Sequence, residues 1–106
     1  ATALSEVELA EATQRELQQQ LDAEVATARH AVDSARQQAR DETTRAKLLR
    51  ERATLIDKSF KAGETPLPEL LRAVTAAAQA EAAVSRAQAA LAQAASRLQQ
   101  ALGVMP

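Results

Sequence analysis

Residues 60–73 read FKAGETPLPELLRA, and this stretch decides how the rest of the chain is arranged. It holds the first of two glycines, two of three prolines and the single aromatic residue, Phe60. On both sides the sequence returns to Ala, Gln, Glu, Arg and Leu at helical spacing. The stretch therefore reads as a bend between two helices. Gly63 suits the left-handed position after a helix C-terminus, and Lys58 and Lys61 complement the dipole of that last turn. Thr65 is a candidate cap for the next helix, with Pro66 in its first turn, where a missing N–H costs nothing. Pro68 is still tolerated there, and Glu69 lies favourably near the positive helix end. Leu67, Leu70 and Leu71 then begin an apolar face. So short a connection requires the two helices to pack antiparallel.

Upstream of the bend, small or apolar residues recur at spacings of three and four: Leu21, Val25, Ala28, Val32, Ala35, Ala39, Ala46, Leu49, Ala53, Ile56 and Phe60. Glu42 alone interrupts the series. A sustained heptad of this kind is the seam along which one helix meets another. Toward the N-terminus the seam weakens, with Glu11, Gln14 and Gln18 in its positions. No Gly or Pro breaks residues 1–62, which predicts one helix over about 3–62, roughly 90 Å long at about 1.5 Å per residue. Downstream, Leu70, Ala77, Val84, Leu91 and Leu98 fall seven apart, as do Ala73, Ala80, Ala87, Ala94 and Ala101. This predicts a second helix over about 66–102. The fold class is all-α: a long, non-globular antiparallel coiled-coil hairpin occupying residues 1–106 as a single unit, with its tip at 60–72.

The helices are unequal, so residues before about 26 are expected to have no partner within the chain. Additional alanines at 76, 83 and 90, and at 82 and 89, carry small residues around the second helix. Such a helix is suited to neighbours on more than one side, as in a wall of helices. Stability is accordingly expected from other chains or from further parts of a longer protein.

Composition narrows the function. The chain has 106 residues, a formal charge of −1 and 46 % hydrophobic residues, mostly alanine. Alanine buries little area, and one Phe cannot centre a globular core. A near-neutral chain sets up no global field for nucleic acid or anionic lipid. Charge is uneven, however. Residues 1–25 carry Glu6, Glu8, Glu11, Glu16, Asp22 and Glu24 against Arg15, whereas 36–61 carry eight basic residues against four acids. The basic stretch lacks interleaved aromatics for base stacking and reads as a solvated face with i,i+4 pairs such as Lys47–Glu51. Nucleic acid is not an expected partner. There is no cysteine, and no run of eighteen apolar residues spans a bilayer. ATALSEVELAEA lacks the basic start and apolar core of a signal peptide, and with no initiator Met the sequence reads as a mature or excised piece.

Catalytic chemistry is not legible. His30 is solitary and falls on the outer face of the heptad, with no ligand set at i+3 or i+4. Asp41 and Glu42 are adjacent, so they point in different directions from the helix. Gly63 is isolated and forms no phosphate cradle. No enzyme, no metal site and no cofactor are expected.

The string FKAGETPLPELLRAVTAAAQAEAAVSRAQAALAQAASRLQQALGVMP resembles the C-terminal coiled-coil hairpin of outer membrane efflux proteins, the TolC-like outer membrane factors. In that family a long helix ends in an aromatic residue followed by a Gly-containing turn, a hydrophobic residue, an acid and an apolar pair. Phe60, Gly63–Glu64, Leu67, Glu69 and Leu70–Leu71 match those places. The returning Ala/Leu-rich helix closes on Ala101-Leu102-Gly103, and ALGVMP looks like the heavy-metal efflux branch. The match runs from about Ala53 to Gly103; upstream, LQQQLDAEVATARHAV is generic coiled coil. One departure concerns Pro66, which stands where the family usually has a Ser or Thr cap.

The resemblance implies a role. Hairpins of three subunits form a periplasmic α-barrel below an outer-membrane β-barrel. Their bends form the entrance and dock on a periplasmic adaptor protein, which connects to an inner-membrane pump. By carry-over, Phe60, Gly63, Glu64, Thr65, Pro66, Leu67, Glu69 and Arg72 belong to the entrance and docking tip. Glu69 matches an acidic position that can line the constriction. Arg72 reverses the sign of a second acid in some relatives, which disfavours cations wherever it faces the lumen. Taken singly, Gly63, Pro66 and Pro68 also serve simply to make the turn, and Leu67, Leu70 and Leu71 to pack it. The missing β-strands and second hairpin imply a fragment of the full channel. Two other readings fit the heptads: a periplasmic adaptor's own hairpin, whose tip usually carries an Arg-Leu-Ser contact absent here, and a free-standing structural coiled coil.

Overall fold

The computed structural model describes residues 2–105, with side chains from 5 onward. Two helices make up the fold, α1 (Thr2–Lys61) and α2 (Leu67–Val104), joined by residues 62–66. They run antiparallel as a rod of 92 × 17 × 14 Å. The radius of gyration is 25.2 Å, about twice the roughly 13 Å of a compact domain this size. The all-α hairpin predicted from the heptads is the fold.

Burial follows the predicted seam. Val25, Val32 and Ala46 of α1 and Ala73, Ala80, Ala87 and Ala94 of α2 are buried, Ala80 completely. Every other residue of the two predicted series is half-buried, including Glu42. One α2 row is therefore alanine at each buried step, and the rows of larger residues beside it are only partly covered. This is the geometry of two backbones brought close by small side chains, with Leu21, Leu49, Ile56 and Leu91 folding over the edges of the contact. No large side chain among the described residues is fully buried. A single seam of this kind removes little apolar surface from water, so the hairpin alone is lightly stabilised.

Two boundaries differ from the sequence expectation. α2 continues through Gly103 to Val104, and the Met105 N–H donates to the Leu102 carbonyl at 3.2 Å. Gly63 is the only described glycine with positive φ, so Gly103 continues α2 past the end near 102 predicted from the sequence. Because α2 is longer at its C-terminus, its cover also reaches further along α1. Val25 is buried and Leu21 and Gln18 are partly covered, whereas residues 5–17 are all exposed. The uncovered part of α1 thus ends near residue 17, roughly two helical turns short of the boundary expected near residue 26.

The additional alanines of α2 are only partly covered. Ala82, Ala89 and Ala90 are exposed and Ala76 and Ala83 half-covered by α1. Large apolar residues are exposed on both helices near the bend, with Leu48 and Leu55 on α1 and Leu67, Leu71 and Val74 on α2. By the heptad register these two groups lie on opposite lateral faces of the rod.

Candidate functional site

The bend is built from backbone hydrogen bonds before any side chain contributes. The Gly63 N–H donates to the Phe60 carbonyl at 2.9 Å, and the Glu64 N–H to the Ser59 carbonyl at 2.9 Å. These are the paired 5→2 and 6→1 bonds of a Schellman motif, closed by Gly63 at φ 79°. They satisfy carbonyls that the end of α1 would leave without partners. Lys61 reaches back to Asp57 at 2.9 Å, in the acid-first order that complements the helix dipole.

The start of α2 differs from the sequence expectation. Pro66 itself is the N-cap, at φ −73° and ψ 153°, and no side chain caps the helix. Its carbonyl accepts from the Glu69 and Leu70 N–H groups at 3.2 and 3.4 Å. Thr65 is engaged elsewhere: its hydroxyl is hydrogen-bonded to that of Ser59, across the bend. Proline in the N-cap position offers no side-chain acceptor but fixes φ. Pro68 then enters the first turn, where its missing N–H leaves no bond unmade. The Ser59–Thr65 contact is a closure that the sequence reading missed, because it joins residues six apart across a turn rather than along a helix.

Of the eight tip residues singled out from the sequence, Gly63, Glu64, Pro66, Leu67, Glu69 and Arg72 are exposed, while Phe60 and Thr65 are half-buried. Phe60 belongs to the end of the seam and Thr65 to the closure. Glu69 and Arg72 come together along one side of the rod, in a groove of about 420 Å³ lined also by Leu49, Arg52, Ile56, Ala73 and Ala76. Glu64 and Leu67 lie outside that groove. Arg52 and Ile56 were not anticipated as tip residues, yet pairing the two heptad series outward from the bend would have placed them opposite Glu69–Ala76.

Arg52, Glu69 and Arg72 make no ion pair among the described residues, so the groove presents unneutralised charge beside an apolar floor. The Lys47–Glu51 pair expected from spacing does not form. It places the base first, the weaker order for an i,i+4 pair. His30 is exposed, and no group of three potential metal ligands occurs among the described residues. What the tip offers is shape, charge and a fixed backbone. Comparison of the chain with family profiles, curated proteins and solved structures finds no match.

Proposed function

We propose that this hairpin is the periplasmic segment of an outer-membrane efflux channel of the TolC-like kind, with residues 60–72 as its entrance and adaptor-docking tip. The observation that carries the reading is the bend: a hydrogen-bonded Gly63–Pro66 turn with exposed Leu67, Glu69 and Arg72, at one end of a rod 92 Å long. A fixed turn at the end of a long lever suits a docking element, because little conformational entropy is lost when it binds. Exposed leucines on opposite faces suit hairpins set side by side in a barrel wall, as in a trimer. Export through such a channel would belong to an assembly with an adaptor and, indirectly, an inner-membrane pump; heavy-metal ions are the cargo suggested by the ending ALGVMP. Among the described residues no helix is long and apolar enough to cross a membrane; in the proposed channel, membrane insertion belongs to a β-barrel elsewhere in the protein.

An antibody to residues 60–73, used on fractionated source cells, tests the reading. A reactive species several times heavier than 11.3 kDa in the outer-membrane fraction supports it. A heavy species in the inner membrane points to an adaptor hairpin instead. A soluble species of about 11.3 kDa makes the chain a free-standing coiled coil.

A further inference from the structure

One long lateral face of α1, which borders α2 along one edge, is largely exposed and complements itself. On it, Leu9 and Leu17 lie toward the N-terminus and Leu48 and Leu55 toward the bend, 69, 55, 60 and 65 % exposed respectively. Heptad register places Leu9, Leu48 and Leu55 at the outer f and c positions of α1 and Leu17 at g, so the four form one lateral stripe whose g edge borders the seam. The acids that share this side, Glu6, Glu16 and Glu24, are in the N-terminal half. The bases that share it, Arg45, Arg52 and Lys58, are in the half nearer the bend, with Arg52 on the edge where the face meets the groove beside Glu69 and Arg72. All six are exposed and none forms an ion pair among the described residues.

We infer that this face binds a second copy of the chain, α1 against α1 and antiparallel, about a two-fold axis near residue 32. In that register Leu9 meets Leu55 of the second copy and Leu17 meets its Leu48. Glu6 lies level with its Lys58, Glu16 is offset by four residues from its Arg52, about one helical turn, and Glu24 by five from its Arg45. The two-fold repeats every contact, so one self-complementary patch supplies both sides. Near the axis the face carries Thr27, Ala31 and Ser34, small enough for the helices to approach. A contact from Glu6 to Lys58 is roughly 80 Å long, and at a helix width of about 10 Å it covers roughly 800 Å² per chain, the size of a standard stable interface. It also gives a partner to residues 5–17, which α2 leaves bare.

A parallel pairing sets acids against acids and bases against bases, so charge selects the antiparallel order. The inference does not rest on the channel reading. It concerns two free chains, whose bends point in opposite directions, whereas hairpins mounted in one channel point the same way.

Sedimentation equilibrium of the chain, with helicity followed by circular dichroism, tests the inference through two charge-reversed variants. One carries E6K, E16K and E24K; the other carries R45E, R52E and K58E. The wild type is expected to be dimeric and to dissociate more readily as salt rises. Each variant alone should keep its helicity and dimerise about a hundredfold more weakly, and mixing the two should restore a heterodimer. In an otherwise cysteine-free chain, Thr13→Cys should form a disulfide with a Glu51→Cys chain and not with itself. A monomeric wild type overturns the inference. So does a dimer that is indifferent to both charge reversals, as pairing through Leu67, Leu71 and Val74 of α2 would be, or one in which Thr13→Cys links to its own kind.

Discussion

Arg50 and Glu81, thirty-one residues apart in sequence, are joined by an ion pair across the hairpin, the only one between α1 and α2 among the described residues. The pair flanks the seam and joins one turn of α1 to the turn of α2 beside it. Its side chains are 62 and 48 % exposed, so water screens most of the attraction. Arg50→Ala should therefore destabilise the hairpin by only about 0.2–1 kcal/mol in a thermal or denaturant melt. The double variant R50E/E81R should recover most of what either reversal alone loses. A cycle showing no coupling would mean that the alanine packing alone sets the register.

Gly63 should resist substitution for a reason that has nothing to do with space. A Cβ added there meets nothing within 4 Å, but the backbone sits at φ +79°. Gly63→Ala is thus expected to cost about 1–2 kcal/mol from the left-handed conformation alone. Gly63→Asn should cost less, because Asn tolerates that region better, and Gly63→Val more. Equal melting curves for the Ala and Asn variants would show that the bend adopts another turn.

The hairpin was legible because its signals are periodic: each residue of the two heptad rows, from Leu21 to Phe60 and from Leu70 to Ala101, is buried or half-buried. Periodicity sums many weak preferences, so no single residue has to be read correctly. The tip depended on single residues and was read less well. Thr65 is a good N-cap type by preference, yet its hydroxyl is hydrogen-bonded to Ser59 and the cap falls to Pro66. That choice is made by the turn's three-dimensional closure, which no local spacing encodes. The same applies to Gly103, which stays within α2 because it keeps a negative φ. Pairing of Arg52 with Arg72 along one groove required the register across the bend, available only once both rows were set against each other.

Ala80 is the most buried residue of the seam among the described residues, at 0 % exposure, and Ala46 of α1 is 2 % exposed. Ala80→Leu adds three carbons where the backbones leave no room. It should destabilise the hairpin by about 1–3 kcal/mol, despite leucine's larger apolar surface and equally good helix propensity. Ala82→Leu, at an exposed position of the same helix, should leave the melt nearly unchanged and serves as the control. Similar melting temperatures for both variants would place the close approach elsewhere.

Glu42 is the polar break in the α1 seam, and its two oxygens differ. Oε1 accepts a hydrogen bond from Gln38 Nε2 at 2.9 Å, while Oε2 is buried without a partner. An unmatched carboxylate oxygen is costly to remove from water, and a seam position otherwise takes small or apolar groups. Replacing Glu42 by leucine should therefore stabilise the hairpin, by about 1–2 kcal/mol, raising its melting temperature by several degrees. Glu42→Gln keeps the shape and the Gln38 contact but removes the charge, so it should recover part of that gain. If both variants instead melt earlier than the wild type, Oε2 is paired in solution, and a donor from a second chain becomes the first place to look.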